Sequence, residues 1–220
     1  MRVVVNAATS ADGKLSSKRR EQIAISGPAD FDRMDALRAN SDAVMVGVGT
    51  VLADDPHLTV EDPERQAARR ERDATAHPAR VVADSRARTP TDARILDDEA
   101  TTYLLVSEAA PAERIEELEA AGARLVTAGD ERVDLSSALA SLEREGVEQL
   151  MVEGGGELLF SLFAAGLADE LRLFVGSKLI GGRDAPTLAD GEGFVEEFPA
   201  LELEDVERID DGVLLRYAVE

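Results

Sequence analysis

The chain of 220 residues contains no cysteine. Disulfide bonds, thiolate nucleophiles and cysteine-ligated metals are thereby excluded. Only two histidines occur, His57 and His77, too few to build a histidine metal site, so no metal is expected. Lysine is scarce as well: among 24 basic residues only Lys14, Lys18 and Lys178 are lysines. No apolar run approaches the ~18 residues of a membrane span, and no signal peptide precedes the first apolar stretch; a cytoplasmic protein is expected. Positive charge is outnumbered, with 45 acidic residues giving a net charge of −21. That balance argues against nucleic acid or an anionic membrane as partner. It suits a halophilic surface, because near 1 M salt the Debye length falls to ~3 Å and like charges scarcely repel. Chemistry must come from carboxylates, lysine, hydroxyls or a bound cofactor.

What is present is a hydrophobic fraction of 44%, enough for one core, and a single domain over residues 1–220 is expected. The most informative stretch is QLMVEGGGELLF at 149–160. An apolar run ends in Glu153, Gly154, Gly155 and Gly156 follow, and Leu158, Leu159, Leu162 and Phe163 then recur at helical spacing, which reads as strand, tight turn and helix. Glycines let a ligand approach the main chain, and the first N–H groups of a helix can bind phosphate. A turn that needs glycine only for its backbone angles would look the same.

Residues 2–9 (RVVVNAAT) read as a first strand leading to the Asp12-Gly13 turn signal and Lys14. Ser26-Gly27-Pro28 opens a helix that carries Arg38. A second strand, 42–47, leads into VGTVLADDPHLTV, where Thr50 and Asp54 share a helical face and Asp55-Pro56 ends the helix. Residues 61–78 have no periodic apolar face and are expected to form an exposed loop, His77 included. A third strand, 79–83, runs into DSRARTP, with Arg80, Arg86 and Arg88 close in sequence; Arg86 or Arg88 could meet a phosphate with a planar fork, or simply pair with surface acids. Two further strand–helix units span 102–122 and 123–146. After the glycine unit come strands at 170–175, 201–209 and 213–219, the last two joined by Asp210-Asp211-Gly212. Strand and helix alternation that ends in a hairpin implies a mixed α/β fold, mostly parallel in its body and antiparallel at one edge.

The blocks NAATSADGKL, LRANSDAVMVGVGTVLADDPHLTV, PARVVADSRARTP and MVEGGGELLFSLFAAGLADELRLFVGSKLIGG, in that order, closely resemble the riboflavin-biosynthesis reductases of dihydrofolate reductase-like fold, specifically the stand-alone form. The resemblance spans roughly residues 3–219. It implies a central sheet flanked by helices, and NADPH-dependent reduction, with NADH left open, of the ribosyl group of 2,5-diamino-6-ribosylamino-4(3H)-pyrimidinone 5′-phosphate to ribityl, by a homodimer. Carried over by position, it implies cofactor contacts at Ala8, Thr50, Asp54, Asp84, Ser85, Arg86, Ala87, Asp130, Gly154, Gly155, Gly156 and Glu157. Substrate contacts are implied at Lys14, Arg38, Leu58 and Glu153, with Glu153 and Lys14 as the catalytic pair. Glu61 stands where relatives often carry a basic residue, and Ala11 where they carry a larger apolar one. Two alternatives remain. Dihydrofolate reductase itself usually keeps a buried carboxylate on its first helix, and Asp30, Asp32 and Asp35 offer no evident buried candidate. A nucleotide-binding regulator without turnover is the other.

Overall fold

The fold alternates strands and helices as the apolar runs dictate. In the computed structural model, residues 1–21 and 23–220 are described. In chain order they form β1 (Arg2–Ser10), α1 (Pro28–Ala39), β2 (Ala43–Gly47), α2 (Val48–Asp54), α3 (Pro63–Arg70), β3 (Ala79–Ala83), β4 (Thr102–Val106), α4 (Ala112–Ala120), β5 (Arg124–Thr127), α5 (Leu135–Arg144), β6 (Gln149–Gly154), α6 (Gly156–Ala164), β7 (Glu170–Gly176), β8 (Leu201–Ile209) and β9 (Gly212–Val219). The nine strands are hydrogen-bonded in the order β5-β4-β3-β2-β6-β1-β7-β9-β8. Most run parallel, and β9 is antiparallel to both β7 and β8, the mixed sheet and terminal hairpin that the sequence implies. The chain divides into two compact units, one of Met1 with Asp35–Met151, the other of Arg2–Met34 with Val152–Glu220.

In the first unit, Ala43, Val44, Met45 and Val46 of β2 are all buried, which is why that strand reads as an unbroken apolar run. On α5 the buried residues Leu135, Ala138, Leu139 and Leu142 form one stripe, and the Asp134 carboxylate accepts the N–H of Ser137 at the helix start. The expected loop at 61–78 is corrected here, since its centre is α3. Asp62 caps it and Pro63 opens it. This helix docks by its polar side. Arg65 pairs with Asp35 at 2.9 Å, the Gln66 amide donates to Val60 O, and buried Arg69 donates to the carbonyls of Ala39 and Ser41, at 2.8 Å each, and of Thr75. Arg69 thus satisfies main-chain acceptors at and just past the C-terminal end of α1, where no intrahelical donor reaches. His77 is not free either, because its Nδ1 accepts the N–H of Val60.

In the second unit, β1 and β7 pair in parallel with Ala8 opposite Phe174. The β8–β9 turn serves another element. Asp210, at φ 50°, presents its carboxylate to the N–H groups of Ala29 and Asp30, neutralising orphan donors of the first turn of α1.

Candidate active site

Because β2, β3, β4 and β5 run parallel, the first unit gathers their carboxyl ends on one edge, the edge at which open α/β sheets bind ligands. Three loops are laced together there. Ser85 Oγ accepts the N–H of Val133 at 3.0 Å, and Ser107 Oγ donates to Ser85 O at 2.7 Å. The N–H groups of Glu108 and Ala109 donate to the carbonyls of Gly129 and Asp130, and Arg86 donates to Ala109 O. Ser85, Arg86 and Asp130 are therefore brought together from sequence positions 45 apart.

Asp84 is fully buried. Its Oδ2 accepts the N–H and hydroxyl of Thr89, at 2.7 and 2.8 Å, which shapes the loop, while its buried Oδ1 has no hydrogen-bond partner among the described residues. Ala87 and Leu58 are both buried and both hold φ 54°, a left-handed backbone that non-glycine residues rarely adopt and that concentrates where ligands are clamped. Thr50 and Asp54 lie one turn apart on α2, directly after β2; the Asp54 side chain is exposed, and partial desolvation raises its carboxyl above the ordinary value. Asp55 ends α2 in the left-handed region at φ 41°, and its Oδ1 accepts the N–H of Arg94. Arg38 donates from Nη1 to Thr59 O at 3.0 Å.

The crowd of arginines is dispersed. Arg80 is fully buried and paired with Asp97 at 2.7 Å. Arg86 is half-exposed and pairs with exposed Glu131, and Arg88 is exposed. His57, Asp97 and Glu99 do bring one ligand atom each within 4.8 Å of one another. The Arg80 guanidinium already neutralises that group, however, lying 4.0 Å from Glu99 as well.

In the second unit, the turn after β1 places Lys14 half-buried, with Nζ donating to Ala185 O at 3.2 Å. Leu15 N–H donates to Pro186 O, and Lys14 forms an isolated antiparallel bridge with Thr187. The same segment packs on the glycine turn. A Cβ on Gly156 would stand 2.4 Å from Thr187 O, and Asp190 N–H donates to Gly156 O at 3.0 Å. Gly155 needs its freedom for a different reason, a φ of 88°. Glu153 is half-buried at the exit of β6, and Glu157 is exposed on the first turn of α6. Lys14 and the glycine turn are thus joined through residues 185–190.

Two features escaped the sequence. Asp30 and Asp35 are in fact buried, but Asp30 pairs with Arg33 and Asp35 with Arg65 and two main-chain N–H groups, so each is committed to a structural contact. Asp12, noted only as half of a turn signal, accepts the N–H groups of Ile180 and Gly181 at 2.9 and 2.7 Å and the Ser10 hydroxyl at 2.7 Å. The Ile180, Ser10 and Gly181 hydrogen bonds pull its carboxyl down to about 2.

Residues 1–215 match the model of the RibD C-terminal domain family. The 2,5-diamino-6-ribosylamino-4(3H)-pyrimidinone 5′-phosphate reductase of Archaeoglobus fulgidus is 49% identical over 210 residues, covering 96% of this chain and 94% of that protein. The reductase of the same name from Methanothermobacter thermautotrophicus is 46% identical over 202 residues, covering 92% and 89%. Among solved structures, a pyrimidine reductase-like protein of Corynebacterium diphtheriae superposes with a TM-score of 0.87 over 100% of this chain and 92% of that one, at 18% identity, a likeness of fold alone. RibD of Acinetobacter baumannii does so with a TM-score of 0.79 at 26% identity, over 100% of this chain and 58% of that longer one. The chain belongs to the RibD C-terminal domain family, and it is a reductase of riboflavin biosynthesis.

Proposed function

We propose that this reductase converts the ribosyl group of 2,5-diamino-6-ribosylamino-4(3H)-pyrimidinone 5′-phosphate to ribityl with NADPH. The observation that carries the reading is the 46–49% identity to two archaeal reductases of that name across nearly the whole chain. The residues present fit a dinucleotide. In the first unit the laced edge offers Thr50, Asp54, Ser85, Arg86, Ala87 and Asp130, with the unsatisfied buried Oδ1 of Asp84 behind them. The Arg86–Glu131 pair is exposed on both sides; such pairs contribute about 0–1 kcal/mol, so a phosphate could displace Glu131 at little cost. In the second unit, the space a Cβ of Gly154 would enter holds no atom within 4 Å, beside the N–H groups that open α6. Ala8, Gly155, Gly156 and Glu157 complete this set.

When bound, the nicotinamide supplies the hydride that reduces C1′ of the opened pentose. The protein's part is to hold, orient and protonate. A helix N-terminus contributes ~0.3–1 kcal/mol, whereas micromolar affinity requires ~8 kcal/mol. Side-chain contacts must therefore supply most of the binding. Glu153 accepts hydrogen bonds from sugar hydroxyls and assists ring opening. Lys14 sits on the ribose or phosphate side, and either group relays a proton to the developing oxygen or nitrogen. Arg38 and Leu58 complete the substrate contacts. The acting form is a homodimer, a reading that the exposed apolar residues Leu201, Leu203 and Val206 of β8 support; a solution mass of 23.5 kDa would reject it.

The deciding experiment follows the near-ultraviolet absorbance of NADPH with the freshly made pyrimidine phosphate in molar potassium chloride. Stoichiometric oxidation is expected. Oxidation with dihydrofolate and none with the pyrimidine phosphate would overturn the assignment.

A further inference from the structure

Residues 178–194 form an irregular strap held at several places within the second unit, beginning with Lys178, whose carbonyl accepts the N–H of Ala11 at 2.8 Å and whose Nζ donates to Ala24 O. Asp12 takes the main-chain N–H groups of Ile180 and Gly181. Lys14 and Leu15 take Ala185 and Pro186 through main-chain carbonyls. Gly156 O accepts the N–H of Asp190, and Thr187 O lies close over the Gly156 Cα, 2.4 Å from where a Cβ would stand. Farther along, Phe194 packs against Phe160 with ring centroids 4.9 Å apart and the rings tilted by 44°. Without the strap, the Lys14 ammonium would lose its acceptor Ala185 O, and a lysine side chain has several rotatable bonds to wander through.

Asp12 is exposed, so it fills no core space, and among the described residues its carboxylate hydrogen-bonds to the main chain and to Ser10. What it offers is two carboxylate oxygens, with Oδ1 shared between Ser10 and Ile180 and Oδ2 given to Gly181. A carboxylate that accepts from all three at once has no isosteric substitute: asparagine would turn an NH2 donor toward N–H or O–H donors. Ser10 couples the two ends of the turn, since its Oγ also accepts the N–H of Lys14 at 3.0 Å.

We propose that Asp12 is a positioning residue for the reduction: its carboxylate pins the start of the strap, and the strap in turn holds the Lys14 ammonium where substrate meets it. The proposal rests on the reading of Lys14 as a substrate contact.

Four proteins test it: wild type, Asp12→Asn, Lys14→Ala and the double variant, each assayed for kcat and KM with the pyrimidine phosphate and for NADPH Kd by fluorescence. Misplacing a reacting group by about 1 Å costs up to about 100-fold, so Asp12→Asn is expected to lower kcat/KM by about 10- to 100-fold, leaving NADPH Kd within about twofold. Added to Lys14→Ala, the same change should cost less than about threefold further, because the group it positions is gone. Amide hydrogen exchange at Ile180 and Gly181 should quicken in Asp12→Asn. Should Asp12→Asn fold poorly, Asp12→Glu keeps the charge and is expected to give an intermediate loss. Effects of the two single changes that multiply in the double variant would overturn the proposal, as would an Asp12→Asn loss shared equally by NADPH binding. A fully active Lys14→Ala protein would refute the role of Lys14 and the proposal together. An inactive Lys14→Ala beside an unaffected Asp12→Asn would refute Asp12 alone.

Discussion

Asp35 and Arg65 are joined at 2.9 Å in the first unit, and the same carboxylate takes the N–H groups of Glu61 and Asp62 at 2.6 and 3.3 Å. Burial alone would raise the Asp35 pKa, but the hydrogen bonds from Glu61, Arg65 and Asp62 outweigh it and hold the carboxyl below its usual range. A depressed folded pKa means stability that is present above the unfolded value of ~3.9 and lost as pH falls through the lower folded value. Asp35→Asn is accordingly expected to cost about 1–3 kcal/mol at pH 7 in urea unfolding, with the gap to wild type closing in acid below pH ~4. Equal midpoints at pH 7 would show that this carboxylate does not hold α3.

Arg80 makes a second stability test. Its side chain is fully buried beside Asp97, which is 32% exposed. Removing one partner of a buried pair costs about 3–5 kcal/mol, and the exposure of Asp97 lowers that to about 2–4 for Asp97→Ala. Adding Arg80→Met should recover part of the loss, because the stranded charge is then gone. A double variant weaker than Asp97→Ala would mean that Arg80 stabilises through its carbonyl contact to Ile95 instead.

These two pairs explain what the sequence could tell and what it could not. Valine- and leucine-rich runs such as VVV in β1 and AVMV in β2 announce buried strands, and the glycines after Glu153 announce a turn, because those signals are local. The helix α3 gave none: it is held by Arg65, Gln66 and Arg69 reaching polar partners, so it lacks the apolar stripe by which helices are recognised. Arg80 and Arg86 look alike in DSRARTP and its flank, yet one is buried beside Asp97 and the other is at the surface beside Glu131. Asp12 pairs with residues 168 and 169 positions away, a distance no local pattern spans.

Glu153 carries the catalytic proposal. If it binds sugar hydroxyls and assists ring opening, Glu153→Gln keeps the shape and removes the charge. The expected outcome is a fall in kcat of about 100- to 10,000-fold at saturating substrate, the range for a general acid–base group. Turnover within about twofold of wild type would reject a chemical role.

Arg86 separates the two nicotinamide cofactors. Its guanidinium is half-exposed and held by Glu131 and Ala109 O, so it can turn to a 2′-phosphate without disturbing the core. Arg86→Ala should weaken NADPH by about 1.5–3 kcal/mol, the worth of a hydrogen bond to a charged group, and leave NADH within about twofold. Isothermal titration with both cofactors measures the difference. An equal loss would assign Arg86 to loop structure alone.

Gly156 and Gly154 differ in why they are glycine, and alanine at each position tells the reasons apart. At Gly154 the added methyl meets nothing within 4 Å, but φ is 152°, so the cost is backbone strain of about 1–3 kcal/mol with room left around it. At Gly156 the methyl would lie 2.4 Å from Thr187 O and 2.7 Å from the Cβ of Asp190, and main chain cannot swing aside as a flexible side chain can. Residues 187–190 must move, at an overpacking cost of about 1–3 kcal/mol. Since Lys14 is tied to that segment at Ala185 and Thr187, Gly156→Ala should raise the KM for the pyrimidine phosphate as well as lower the melting temperature. Gly154→Ala should lower the melting temperature and weaken NADPH, whose space its methyl enters, with a smaller change in the KM for the pyrimidine phosphate. Matched effects of the two variants on KM would mean that the segment over the glycine turn does not communicate with Lys14.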